Sequence, residues 1–245
     1  MISVVIPAYN EEKYIEKCLQ SLMEQEEMPD EIIVVNNNST DRTEEIVKRF
    51  PVILLTEKKK GIIPARNKGF NAAKGTIIAR TDADTIVPPD WIKKIKKHFE
   101  DRKIVALSGP ANFYPLPEVI QLYNWQTVGI NQSFKQIVGH DCMFGFNMCV
   151  RKSAWEKVKE NVCRDDKEVH EDIDLSIHLA PIGKIKFDNG MVVKSSSRRL
   201  KKLDSYFEYP YRGLKSIAKH SKMVLHERKQ SVQKFVASIK FHNLF

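Results

Sequence analysis

The chain has 245 residues, of which 42% are hydrophobic and 29% charged, the balance of an ordinary globular protein with one large core. It contains no apolar run near the roughly 20 residues of a membrane span, and its first residues lack the basic start and cleavage site of a secretory leader. A formal charge of +9 points to anionic partners such as nucleic acid, anionic lipid or phosphorylated substrates.

Residues 2–6 form a β-branched run closed by Pro7, which predicts a buried strand. Asn10 is placed to cap the following helix, with Glu11 and Glu12 in its first turn. Ile15, Leu19 and Leu22 give that helix one apolar side. Residues 31–35 predict a second strand, residues 36–43 a polar turn into a helix ending near Phe50, and residues 52–55 a third strand. Beyond the basic loop Lys58-Lys59-Lys60, Gly61 opens a helix that runs to Lys74. Residues 76–79 then predict a buried strand ending in Arg80-Thr81-Asp82-Ala83-Asp84. Strand and helix alternate through this half, the pattern of a parallel sheet covered by helices.

The second half predicts a basic amphipathic helix over 91–99, a strand over 103–109 and a helix over 115–133. A buried strand over 142–151, broken at Gly145, follows. Ser153 caps a short helix, and His170-Glu171-Asp172 opens another. Residues 184–187 and 191–193 predict two closing strands around an Asp188-Asn189-Gly190 turn. Cys18, Cys142, Cys149 and Cys163 have no metal-finger spacing and are expected to be reduced and packed, in a cytosolic compartment. Spacing leaves a Cys142–Cys149 bridge open.

In a parallel sheet, ligands bind beyond the carboxyl ends of the strands. Asp82 and Asp84, one residue apart at such an end, can hold a divalent cation through oxygen ligands, and through it a diphosphate. Two solvated turn aspartates would look the same in isolation, so the companions of this pair decide its meaning.

Those companions are Val5-Ile6-Pro7-Ala8-Tyr9-Asn10-Glu11, the stretch Asn36 to Thr43, Gly61 with Ala65-Arg66-Asn67-Lys68-Gly69, and Glu171-Asp172 with Asp174-Leu175. In this order, with Asp82-Ala83-Asp84 between them, they resemble the motifs of the inverting family 2 glycosyltransferases, over roughly residues 1–195. The resemblance implies a GT-A fold: a Rossmann-like, mostly parallel central sheet flanked by helices. It implies a hexosyltransferase moving a sugar from a UDP- or GDP-linked donor to a glycan or lipid-linked acceptor, with Mn²⁺ or Mg²⁺ as cofactor. Asp84 would be the direct metal ligand, and Asp82 would meet the ribose or a metal-bound water. Pro7, Ala8, Tyr9 and Glu11 would line the base and ribose pocket, with Tyr9 either stacking on the base or packing. Arg66 would reach the base or a phosphate, or form a surface salt bridge. Asp172 would be the general base and Glu171 would orient the acceptor, although acids here also complement a helix dipole. Arg198 or Arg199 would approach the diphosphate, or belong to a solvated charge run.

One departure from the family pattern is Asn36-Asn37, where two aspartates are common and the second faces the base. An amide donates as well as accepts hydrogen bonds, so recognition at Asn37 is expected to differ. The expected division is a catalytic domain over 1–195, with a nucleotide-binding half over 1–109 and an acceptor half over 110–195, then a basic amphipathic helical tail over 196–245. In the tail, Tyr206, Phe207, Tyr209, Tyr211, Leu214 and Ile217 interleave with Arg212, Lys215, Lys219 and Lys222. That pattern suits helices lying on an anionic inner membrane surface, and equally helices packed on the core.

Two other classes compete. A sugar-phosphate nucleotidyltransferase needs a Gly-rich basic loop after its first strand, and residues 7–12 are acidic there. A non-catalytic membrane or nucleic-acid binder would draw on the positive charge. Nucleic acid is not expected as a partner, because the basic residues are spread along the chain rather than gathered for one groove.

Overall fold

The computed structural model describes residues 1–115, 124–198 and 203–229, with side chains from 127 in the second stretch and from 211 in the third. Its centre is strand β1 (Ile2–Ala8), buried along its whole length. Burial on both faces is what a near-continuous apolar strand requires, and alternate residues go to opposite sides. Ile2, Val4, Ile6 and Ala8 face one apolar layer, while Val5 faces the other. Strands β2 (Glu31–Asn36), β3 (Ile53–Thr56) and β4 (Ile77–Arg80) extend the sheet, which also takes in β6 (Ile104–Ser108), β8 (Met148–Arg151) and β9 (Lys184–Phe187). The order is β3-β2-β1-β4-β8-β6-β9. All neighbours are parallel except at β8, which runs antiparallel to β4 and β6. A small second sheet has β10 (Val193–Ser196) between β5 (Thr85–Ile86) and β7 (Ala111–Tyr114).

Helices α1 (Ile15–Met23), α2 (Thr43–Val47) and α4 (Trp91–His98) cover one face of the large sheet. Helices α3 (Ile62–Ala72), α6 (Lys152–Val158) and α7 (Glu171–Leu179) cover the other. The expected α/β, mostly parallel architecture is therefore the one observed. Helix α8 (Leu203–Lys219) begins the expected helical extension, and residues 221–229 continue it. Where its side chains are described, it packs on the core. Ser216 is fully buried and its Oγ accepts a hydrogen bond from the His170 N–H (2.7 Å), while Val224 joins Phe134, Val138 and Ile177. The tail beyond 229 lies outside the described residues.

Several local expectations are corrected. Asn10 caps no helix. It adopts a left-handed conformation (φ 54°), which Asn tolerates better than most residues, and its Oδ1 accepts from the Thr40 N–H (2.8 Å). Helix α1 starts only at Ile15. Helix α2 ends at Val47, before Phe50. Helix α5 (Asn124–Val138) runs on past the expected end at residue 133, and residues 116–123 lie outside the described part. Ser153 lies inside α6, whose cap position is Arg151, with no side-chain cap bond. The run from 142 to 151 is a strand only from Met148, because residues 145–147 form a 3₁₀ turn. The two closing strands do not form a hairpin: β9 pairs with β6 in the large sheet, and β10 sits in the small one. All four cysteines are free thiols, so Cys142 and Cys149 do not pair.

Candidate active site

Strands β1, β2 and β4 are adjacent and parallel, so their carboxyl ends, beyond which such sheets bind ligands in a crevice, lie side by side. Register places Ala8 beside Asn36 and Val5 beside Arg80. Pro7 and Ala8 are buried, and the Ala8 carbonyl accepts from the Asn37 N–H (2.8 Å). Tyr9 projects outward at 42% exposure. The Lys60 Nζ donates to its hydroxyl (3.0 Å) and lies 4.6 Å from its ring centroid. The Glu11 N–H donates to Thr43 Oγ1 (2.7 Å), which fixes Glu11 at the crevice wall.

The Asn36–Asn38 stretch is turned to construction. Asn37 Nδ2 donates to the carbonyls of Glu57 (2.9 Å) and Lys59 (2.7 Å), and its Oδ1 accepts from the Gly61 N–H (2.8 Å). The amide thus gathers the loop between β3 and α3. An aspartate at this position has no proton to give to those two carbonyls when ionised, which accounts physically for the amide. Asn36 Nδ2 donates to Glu44 Oε2 (2.9 Å), and Asn38 Nδ2 to the Lys58 carbonyl (2.9 Å).

Asp84 is 5% exposed, and its Oδ2 lies 3.0 Å from Arg198 Nε. The same guanidinium pairs with Glu11 Oε1 and stacks 4.9 Å from the Tyr14 ring centroid. Arg198, from beyond β10, therefore stands as a cation between Asp84 and Glu11. Arg199 lies outside the described residues. The hard oxygen donors of Asp82 and Asp84 suit Mn²⁺ or Mg²⁺, with remaining positions left to phosphate oxygens and water. The Arg198 guanidinium shows that positive charge belongs there.

Deeper in, two arginines and three acids form one buried cluster. Arg80 Nη2 pairs with Asp82 Oδ1 (2.9 Å), and Arg80 Nη1 pairs with Glu171 Oε1 and lies 3.4 Å from Asp172 Oδ1. Arg66 is fully buried, and its Nη1 pairs with Glu171 Oε2 (2.7 Å). Its Nε and Nη2 share Asn67 Oδ1. Arg66 is thus engaged in an ion pair with Glu171, and that pair is buried, where the alternative reading places a salt bridge at the surface. Asp172 Oδ2 accepts from the Gly145 N–H (2.8 Å). Gly145 is dictated by Arg80: a Cβ there would lie 2.6 Å from Arg80 Nη2.

The two carboxyls at the start of α7 are driven apart. Burial pushes both up, but the Arg80 and Arg66 guanidiniums outweigh it at Glu171 and hold that carboxyl well below the usual carboxylate range. At Asp172, burial and then the adjacent Glu171 charge win, and its carboxyl is raised well above that range. Opposed shifts in neighbouring acids are the arrangement that separates a structural anion from a proton-transfer group.

Residues 3–157 match the family model described as glycosyl transferase family 2. The chain belongs to glycosyl transferase family 2. It is 26% identical to a chondroitin synthase of Pasteurella multocida over 218 residues, 84% of this chain and 22% of that protein. It is 31% identical to the glycosyltransferase GlyA of Streptococcus pneumoniae over 134 residues, 52% of this chain and 19% of that one. The chain thus spans about a fifth of the length of these relatives. Among solved structures it resembles the mannosyltransferase PcManGT of Pyrobaculum calidifontis in complex with GDP-Man and Mn²⁺ (TM-score 0.73, 19% identity, 94% of this chain and 69% of that one). It also resembles glucosyl-3-phosphoglycerate synthase of Mycobacterium tuberculosis in complex with Mn²⁺, UDP and phosphoglyceric acid (TM-score 0.65, 18% identity, 91% and 78%). At such identity these structures establish the GT-A fold.

Arg80 is the residue that sequence reading overlooked. Its signal was a cation ending an otherwise apolar buried strand, Ile77-Ile78-Ala79. A buried charge requires charged partners, and the acidic pairs at 82–84 and 171–172 supply them.

Proposed function

We propose that this family 2 member is a metal-dependent inverting glycosyltransferase that moves a hexose from a nucleotide-sugar donor to an acceptor hydroxyl. The observation that carries the reading is the Arg80 guanidinium, which contacts Asp82 of the D-x-D motif and Asp172 of the late acidic motif. One buried cation thereby ties the donor-side carboxylates to a single carboxyl suited to accept a proton. Asp84 and Asp82 hold the divalent ion, which when bound supplies Lewis-acid stabilisation of the leaving diphosphate. Pro7, Ala8 and Tyr9 wall the base and ribose pocket. Arg198 exchanges Asp84 for the diphosphate when the donor enters. Asp172 takes the proton of the acceptor hydroxyl, and Glu171, held by Arg66 and Arg80, keeps α7 in place for it. One base with in-line attack and no protein nucleophile inverts the anomeric carbon.

The donor is UDP- or GDP-linked in this reading, as the complexes of both structural relatives support. Thermal unfolding with UDP, GDP, CDP and dTDP, each with and without Mn²⁺, tests it. One nucleotide is expected to stabilise the chain only when Mn²⁺ is present, by about 2.7 kcal/mol at about 100 times its Kd. Asp84→Ala is expected to abolish that shift. A shift that survives Asp84→Ala would remove Asp84 as the metal ligand.

The acceptor is a glycan, carried on a lipid in the form the surface favours. No helix among the described residues is long and apolar enough to cross a membrane. Tyr211, Leu214 and Leu225 are nonetheless exposed on the C-terminal helices, with Lys222, Arg228 and Lys229 exposed beside them. Exposed apolar and basic side chains interleaved along these helices suit peripheral attachment to an anionic leaflet. Sedimentation with phosphatidylglycerol vesicles is expected at low salt and lost at high salt. Failure to sediment at low salt would turn the reading toward a soluble acceptor.

A further inference from the structure

A second cluster lies away from the crevice. Cys163, in the segment between α6 and α7, Asp174 on α7 and His220 just after α8 bring a thiol, a carboxylate and an imidazole together. One ligand atom from each lies within 4.8 Å of the other two. His220 Nε2 is 2.8 Å from Asp174 Oδ1 and 3.7 Å from Cys163 Sγ. Asp174 is fully buried, and the thiol and the ring are partly so.

Three explanations compete. A nucleophilic Cys-His-Asp relay needs the thiol on one ring nitrogen and the carboxylate on the other. Here both face the same nitrogen, Nε2, so no proton can be relayed through the ring. A plain ion pair explains Asp174 and His220, with the thiol as a weak hydrogen-bonding neighbour of the ring. Convergence of all three donors on one point is what a metal requires. A Zn–S bond of about 2.3 Å and a Zn–N bond of about 2.0 Å at a tetrahedral angle separate sulfur from nitrogen by roughly 3.5 Å, close to the spacing present.

We propose that Cys163, Asp174 and His220 form a Zn²⁺ site that clips α8 and the segment before α7 onto α7. A soft thiolate with an imidazole and a carboxylate selects zinc over the Mg²⁺ and Mn²⁺ suited to carboxylates alone. The outer contacts are in place. The Cys163 N–H donates to Asp174 Oδ2 (3.0 Å), which leaves Oδ1 for the metal, and the His178 ring packs edge-on against His220 at 4.7 Å. A water completes the tetrahedron. Asp174 and Asp172 are two residues apart on α7 and so face opposite sides of the helix. The zinc is thus distinct from the donor-site metal.

Cobalt titration of the purified chain, followed by zinc back-titration, tests the site. A thiolate-to-cobalt charge-transfer band is expected and zinc should erase it. Cys163→Ser should abolish the band, and His220→Gln should lower zinc affinity about 100-fold or more. Cys18 needs a control because its thiol lies behind the D-x-D motif, 3.6 Å from the Asp82 carbonyl. Cys18→Ser should leave the band intact. Absence of the band, or a band that follows Cys18 instead of Cys163, overturns the proposal. Circular dichroism of Cys163→Ser separates loss of ligand from loss of fold, and His220→Gln gives an independent reading if that variant does not fold.

Discussion

Replacing Asp172 with Asn is expected to lower kcat about 10³-fold while leaving donor affinity within a factor of about three, because a positioned base contributes typically 10²–10⁴-fold. The amide keeps an acceptor for the Gly145 N–H, now 2.8 Å from Asp172 Oδ2, so the fold should persist. Loss confined to kcat identifies a group that acts on the reacting proton. An equal loss of nucleotide binding would make Asp172 a structural neighbour of Arg80 instead. The pH profile carries a second signature. Burial and Glu171 raise the Asp172 carboxyl well above the ordinary range, so the acid limb of kcat/KM should lie above that of a solvated aspartate. Stability has the opposite sign. A group whose folded value is raised contributes stability that is full below its unfolded value, near 3.9, and lost as pH rises through the folded value. Wild type should therefore lose ground to Asp172→Asn in urea melts as pH rises from the unfolded value through the raised folded one. A pH-independent difference would mean that the carboxyl is not raised.

The outer architecture was legible because its rules are local. Ile2, Val4 and Ile6 alternate with Val5 across the sheet, and such runs announce buried strands. The acidic pair at 82–84 followed from the strand before it. What could not be read depends on partners distant in sequence. Residues 184–187 and 191–193 surround good turn chemistry, yet the first strand pairs with β6 and the second with β5 and β7. Local propensity held no information about the sheet each would join. Asn10 looked like a cap because Asn favours both caps and left-handed turns, and only Thr40 thirty residues away decides between them. Asn37 had the position of a base reader, but its partners, the Glu57 and Lys59 carbonyls, appear only once the β3–α3 loop folds back. Arg66 and Arg80 meet Glu171 across more than ninety residues. Cys163, Asp174 and His220 likewise have no spacing signature, since three separate segments supply them.

The largest effect on folding should come from Arg80→Met. The thioether fills the guanidinium's volume in part but leaves Glu171, Asp172 and Asp82 facing one another with only Arg66 near. Breaking a buried charge pair by removing one partner costs about 3–5 kcal/mol, a large share of the roughly 5–15 kcal/mol that holds a domain together. The loss should be greatest at neutral pH. Arg80 and Arg66 keep Glu171 ionised well below the usual range against the burial that opposes it. A depressed carboxyl contributes stability that is present above its unfolded value and lost as pH falls through the folded one. Without Arg80 most of that contribution disappears, so wild type and variant should converge in acid, where the carboxyls are protonated in both. Glu171→Gln alone leaves both guanidiniums short of an anion and should also destabilise. Combined with Arg80→Met, it removes a cation and an anion together, and the double variant should be more stable than the sum of the single losses predicts, by about 1–3 kcal/mol. Additive losses in that cycle would show that Arg80 and Glu171 do not act as a pair. Recovery of stability in the double variant without recovery of transfer would show the cluster's second role: Arg80 holds the D-x-D motif and the base in one frame, which an apolar side chain of similar size cannot do.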